Sequence, residues 1–194
     1  VQTCALPIFD EGTDYTVTYS ANTKVGTVEV TITGTGSYFG EIKSSFDILP
    51  AKQQIQKLET RFKGFFIDWA QKGSATGYEI EYSSNADFKD STVKKLTANK
   101  PDTLTISGLT AGNKYYVRVR SYTNVGENVY YGAWSDSKNI TTAKYDITKS
   151  AISGISTKTY TGKNITQSVK VKYNGKTLKS GTDYTVSYSN NKKV

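Results

Sequence analysis

Apolar and polar residues alternate along most of this chain with a period of two. Tyr15, Val17 and Tyr19 are separated by threonines, and Val28, Val30 and Ile32 by polar residues. Each set lines one face of a β-strand, because successive strand side chains point to opposite sides. The middle of the chain repeats the pattern. Phe65, Ile67 and Trp69 are predicted to point inward from one strand, and Tyr78, Ile80 and Tyr82 from the next. Tyr115, Val117 and Val119 fall on a core face in the same way. Asn22, Gly26, Gly34, Gly36, Gly40, Asn174-Gly175 and Asn190-Asn191 punctuate the flanks as turns. Seven short alternating segments between residues 50 and 143 suit a β-sandwich. The expected class is all-β, and no apolar run approaches the length of a membrane-spanning helix.

An internal repeat sets the organisation. Residues 12–25 read GTDYTVTYSANTKV and residues 181–194 read GTDYTVSYSNNKKV, identical at 11 of 14 positions and offset by 169. The first copy continues into GTVEVTITGTGSYFGEIKSSFDILP, whereas the second is preceded by KYDITKSAISGISTKTYTGKNITQSVKVKYNGKTLKS. The chain therefore reads as the back part of one repeat (9–49), a different domain (50–143) and the front part of the next repeat (144–194).

The joined repeat, GTDYTVxYSxNxKVGTxxVTITGTGxYFGxIxxxFxI, resembles the Ig-like repeats of large surface proteins from Gram-positive gut bacteria of the Firmicutes type. Residues 50–143 carry a second resemblance, to the fibronectin type III domain, through FFIDWAQ (65–71), GYEIEYS (77–83), LTISGLTAGNKYYVRVRSYTNVG (104–126) and WSDSKNITT (134–142). It implies an antiparallel sandwich with Trp69 and Tyr78 in its core. Leu109 and Tyr115 match that family's tyrosine corner, although Ala111 stands where it usually has proline. Together the expectation is a fibronectin type III sandwich between two incomplete Ig-like β domains.

The opening VQTCALPI departs from this style and holds the one cysteine, Cys4. It lacks the positive n-region and apolar stretch of a signal peptide. Back-translated as GTG CAG ACG TGT GCT CTT CCG ATC, residues 1–8 resemble a sequencing adapter, so Cys4 is read as foreign and the chain as a gene fragment. A cysteine-free β chain rich in Thr, Ser and Tyr fits a bacterial surface, where stability comes without disulfides.

Composition removes several chemistries. The chain has no histidine, which excludes histidine triads and histidine-based zinc sites. No aspartate-rich loop has calcium spacing, and no phosphate-cradling glycine loop or nucleophile–base set is present. No cofactor, no metal and no catalytic residue is expected. Net charge is +8 but uneven: residues 9–49 carry 2 lysines against 6 acids, and residues 144–194 carry 10 lysines against 2 acids. Attraction to anionic polymers such as teichoic acid is one reading. The preferred one is that the basic front half of each Ig-like repeat partners its own acidic back half. No recognised nucleic-acid module accompanies the charge. A lysine–asparagine isopeptide crosslink would need a buried Lys, Asn and acid together, and no such trio stands out.

Strand alternation puts Arg118 and Arg120 on the outer face, beside Glu79 and Glu81 of the neighbouring strand, a solvent-facing surface rather than a cleft. Opposed pairs there contribute a few tenths to about 1 kcal/mol. Trp134 is expected over one of the arginines. Tyr130 and Tyr131 are placed in a loop before the last strand, which makes Tyr130, Tyr131 and Trp134 the candidate ligand loop. The alternative is that one tyrosine packs over the domain end or against the neighbouring repeat. Asn139-Ile-Thr and Asn164-Ile-Thr match glycosylation acceptors, but in a bacterial β-protein they read as strand residues.

The resulting expectation is a non-catalytic stretch of an extracellular or cell-surface bacterial protein, serving as stalk or adhesive array. A cell-wall polymer, a glycan or a host surface protein would be the partner, without membrane insertion. The rival is an accessory region of a secreted polysaccharide-degrading enzyme. A sandwich of seven strands has its ends at opposite poles, so the modules are expected to extend like beads. The truncated repeats are expected to complete each other only between chains, head to tail.

Overall fold

The structure, a computed structural model, describes residues 9–21, 23–71 and 73–189. The adapter-like segment with Cys4, and the turns expected at Asn22 and Asn190-Asn191, lie outside the described residues. The chain is all-β and divides into two compact units, the first ending at Ala143 and the second beginning at Lys144.

The first unit opens with a three-stranded antiparallel meander of β1 (Tyr15–Tyr19), β2 (Gly26–Gly34) and β3 (Glu41–Ile48). Val17 lies opposite Ile32, Ile32 opposite Ile42, and Val28 opposite Phe46. The alternation therefore gathers Tyr15, Val17, Tyr19, Val28, Val30, Ile32, Ile42 and Phe46 on one face. The other face carries Thr16, Thr18, Thr27, Glu29, Thr31, Lys43 and Asp47. Gly26 and Gly34 are not turns as expected but the ends of β2, since the ladder runs on to pair them with Ile48 and Tyr15. Gly36 and Gly40, also expected as turns, do lie in the connection between β2 and β3, both with positive φ.

Eight further strands build the sandwich: β4 (Ile55–Arg61), β5 (Gly64–Trp69), β6 (Gly77–Ser83), β7 (Thr92–Leu96), β8 (Thr103–Ile106), β9 (Lys114–Val125), β10 (Asn128–Tyr131) and β11 (Lys138–Thr141). One sheet has the order β4-β5-β8. The other has the order β10-β9-β6-β7, with β11 also paired to β9. The seven segments read from the sequence become eight strands because the last one is split. Gly132 N and Ser135 N still donate to Ser121 O and Val119 O, but no regular ladder spans residues 132–137. Phe65, Ile67, Trp69, Tyr78, Ile80, Val117 and Val119 have no exposed surface. Rings meet across the sheets, Trp69 with Tyr78 at 5.3 Å and Phe65 with Tyr82 at 5.7 Å. Leu109 and Tyr115 pack against this core, and the Tyr115 hydroxyl accepts from Thr110 N at 3.3 Å. Burial alone pushes that phenol up, but hydrogen bonds from Asn113 and Thr110 outweigh it and leave its pKa below the ordinary value.

The second unit holds β12 (Ala151–Ser153), β13 (Lys170–Tyr173) and β14 (Lys176–Thr177) in that order. Asn174 (φ 47°) and Gly175 (φ 78°) form the two-residue turn between β13 and β14, as an Asn-Gly pair in a hairpin should. A short 3-10 turn, Ile147–Lys149, is capped by Asp146, whose carboxylate accepts from Thr148 N and Oγ1 and is thereby held below its ordinary pKa. Asn139 lies in β11, but Asn164, expected on a strand, lies outside all of them.

The turn that opens the repeated sequence folds the same way twice. Gly12 N donates to Tyr15 O and Gly181 N to Tyr184 O, with φ of 88° and 82° at the two glycines. Asp14 and Asp183 carboxylates accept from Asp10 N and Lys179 N, each four residues upstream.

Removing a fully buried branched side chain loses transfer energy and leaves a cavity. Ile67→Ala is expected to lower the unfolding free energy by about 2–5 kcal/mol in a urea titration monitored by tryptophan fluorescence.

Candidate functional site

Strands β6 and β9 bring the outer-face residues together. Their register sets Glu79 opposite Arg120 and Glu81 opposite Arg118. Arg120 donates from Nε and Nη2 to Glu79 Oε2 at 2.9 and 2.7 Å, and Arg118 Nε donates to Glu81 Oε2 at 2.5 Å. Lys95, opposite Glu79 on β7, adds its ammonium 3.7 Å from Glu79 Oε1, and Ser91 Oγ donates to Glu81 Oε1 at 2.6 Å. The carboxylates were expected on a solvent-facing surface, yet Glu79 and Glu81 are each only 7% exposed. Their cover is what alternation alone does not show.

That cover is a ladder of alternating rings and cations. Arg118 lies 4.0 Å from the Phe88 ring and 4.8 Å from Trp134; Arg120 lies 4.3 Å from Trp134 and 4.1 Å from Tyr131. Lys95 closes it, 4.3 Å from the Tyr122 ring, with Nζ donating to the Tyr131 hydroxyl at 3.3 Å. That bond, with the nearby Glu79, raises the Lys95 pKa above its ordinary value. Trp134 thus bridges both arginines rather than one. Each ring–cation contact contributes roughly 0.5–1 kcal/mol at an exposed site and more when desolvated. Phe88 takes part although its φ is 60°, a conformation costing a non-glycine residue on the order of 1–3 kcal/mol unless its surroundings hold it.

Tyr130 and Tyr131 are not in a loop. They end β10, which returns along β9 after a two-residue turn whose first residue, Gly126, has φ 59°. The hairpin sends the two side chains to opposite faces. Tyr131 joins the ladder and is half-buried there. Tyr130 turns the other way, is 9% exposed, and bonds through its hydroxyl to Thr27 Oγ1 of the meander at 2.8 Å. Thr27 in turn donates to Asp47 at 2.6 Å. The candidate ligand loop therefore separates into Tyr131 and Trp134 on the ladder and Tyr130 in the seam between the sandwich and the preceding sheet. Beside that seam Gly132 has no room for a side chain, since a Cβ would lie 2.8 Å from Pro50 O.

Sequence reading missed Phe88, Lys95 and Tyr131 as ladder members. Lys95 was legible in principle, as a cation on the strand beside Glu79; Phe88 was not, because its position depends on an irregular loop. Among the described residues no group of three or more His, Cys, Asp or Glu could hold a metal ion, and no helix is long and apolar enough to cross a membrane.

Two packed antiparallel sheets with these neighbour relations define a β-sandwich module. Residues 56–138 match the family model of the fibronectin type III domain, and this part of the chain is a fibronectin type III domain. No match was found among curated proteins. Solved structures similar to the chain include one titled as a myokine structure, at 11% identity, covering 49% of this chain and 99% of that one with a TM-score of 0.41. Others are the FN1–FN3 domains of chicken CNTN1 (15% identity, 64% and 45% covered, TM-score 0.44) and a beta-1,2-glucanase from Parabacteroides distasonis (18%, 62% and 18%, 0.40). The chain spans less than half the length of the second and under a fifth of the third.

Arg120→Ala leaves Glu79 covered without its main partner, and is expected to destabilise the sandwich by about 2–4 kcal/mol, a little under a fully buried pair. Lys43→Ala, which breaks the exposed pair with Glu29, should change stability by less than about 1 kcal/mol; urea titrations of both compare them directly. Tyr130→Phe removes the bond to Thr27 and should speed amide hydrogen exchange in β2 more than in β6, for a loss of about 0.5–1.5 kcal/mol.

Proposed function

We propose that this chain is a run of non-catalytic spacing modules from a multi-domain bacterial cell-surface or secreted protein, in which Ig-like repeats alternate with fibronectin type III domains. Fibronectin type III domains are commonly non-catalytic modules of multi-domain proteins, and the chain contains one at residues 56–138. One observation carries the reading. The chemistry of the conspicuous outer face is used up internally, with both carboxylates bonded to arginines and both arginines stacked on rings, while on the opposite face Tyr130 is bonded to the preceding sheet. A face so arranged stiffens a module and fixes its junction; it does not present reactive groups.

A second reading has its own support. Trp134 and Tyr131 remain half-buried rather than covered, and partly accessible rings held against arginines suit stacking on a sugar. These modules would then be accessories that hold a polysaccharide for a catalytic domain of the same protein. A binding screen against soluble glycans and teichoic acid separates the two. The spacer reading expects no binding by the parent chain, Trp134→Ala or Tyr131→Ala. Binding by the parent that disappears in Trp134→Ala would transfer the face to a ligand. Sequencing the source locus on both sides distinguishes the larger contexts, a wall-anchored surface protein from a secreted hydrolase.

A further inference from the structure

The β1-β2-β3 meander has an apolar face with little to cover it. Val28 is fully buried, but Tyr19 is 54%, Ile42 69% and Phe46 44% exposed, and Phe39 in the β2–β3 loop is 99% exposed. An open concavity of about 500 Å3 ends this face, lined among others by Phe9, Tyr15, Ile32, Tyr38, Phe39 and Ile42. Contiguous apolar surface of this kind marks an interaction site.

The second unit shows what covers the same strand in the other copy of the repeat. The shared turn aligns Tyr15 with Tyr184 and Tyr19 with Tyr188, at the offset of 169 residues. In the second unit the Tyr184 hydroxyl donates to Val169 O at 2.8 Å. The Tyr188 hydroxyl donates to Gln167 O at 2.7 Å and accepts from Gln167 N at 2.9 Å. Residues 185–188 form no strand there, and the side-chain bonds tie Tyr184 and Tyr188 to the backbone of residues 167–169. Tyr15 and Tyr19 carry the same hydroxyls on a strand already paired along its length with β2. The charges match as well: residues 9–49 sum to −4 (2 − 6) and residues 144–194 to +8 (10 − 2).

We propose that the apolar face of the meander docks residues 144–180 of a second copy of this chain. Tyr15 and Tyr19 of one copy take the Gln167 and Val169 backbone of the other, displacing that copy's residues 184–188. The exposed Ile152 and Ile155 of the second unit (each 62% exposed) supply apolar surface to meet Ile42 and Phe46. The contact is heterologous: each copy keeps one unused meander and one unused front half, so assembly continues head to tail.

Sedimentation velocity of the full chain over a concentration series, with mixed variants, tests this. The parent's average mass should rise from the 21.4 kDa of one chain to roughly double and beyond, less so in high salt because the charge attraction is screened. Ile42→Lys with Phe46→Lys places like charge against the basic half. Ile152→Glu with Ile155→Glu does so against the acidic meander. All four residues are exposed, so the sandwich core is untouched. Each variant alone should stay monomeric, and an equimolar mixture should form a heterodimer and stop there, since it retains one compatible pair of surfaces. A parent that is monomeric at hundreds of micromolar overturns the proposal, as does a monomeric mixture. So does association lost only in the meander variant, which would mean two meanders packing face to face.

Discussion

The pairing of β6 with β9 governs both the core of the sandwich and its charged outer face. Its register places Ile80 beside Val119 and, one residue away on each side, Glu79 beside Arg120 and Glu81 beside Arg118. A strand shows alternate residues to alternate faces, so this one register fixes two layers at once. Inward, it stacks Tyr78, Ile80, Tyr82, Val117 and Val119 against Phe65, Ile67 and Trp69 of the facing sheet. Outward, it aligns two carboxylates with two guanidinium groups. A slip of one residue would bury the charges and expose the core, so apolar burial and ion pairing enforce the same alignment.

The outward layer has rules of its own. Carboxylates with little access to water need bonded cations, and Arg118, Arg120 and Lys95 supply them. Arginine offers a flat face after its hydrogen bonds are made, which is where Phe88, Trp134 and Tyr131 rest. The rings shield the ion pairs from water, and the ion pairs fix the rings. That mutual support accounts for the split final strand: residues 132–137 give up a regular ladder while Trp134 reaches across both arginines. It also holds Phe88 in a backbone conformation that a bulky residue otherwise avoids.

The flanking segments contrast with this closed structure. The meander has a well-formed ladder and a polar face bonded to the sandwich through Thr27 and Tyr130, yet much of its apolar face meets water. The second unit has short strands and, among its exposed apolar side chains, a buried one at Val171. Three strands with one apolar face are a half-layer of a sandwich; burial on both sides requires a second sheet.

Local sequence determined the strands, their inward faces and the repeat, because these depend on a period of two and on turn residues such as Asn174-Gly175. It also determined that Arg118 and Arg120 would face Glu79 and Glu81, once the strand order of the resembled family was assumed. Tertiary structure decided the rest. Gly26 and Gly34 became strand ends because partners across the sheet continued the ladder past them. Tyr130 and Tyr131, adjacent in sequence, parted to opposite faces because a tight turn at Gly126 folded them back onto β9. Glu79 and Glu81 became buried because a loop residue, Phe88, and a residue beyond a strand break, Trp134, closed over them. Alternation reports which face of a strand a side chain occupies; whether that face meets water is set by segments far away in the chain, whose arrival no local pattern encodes.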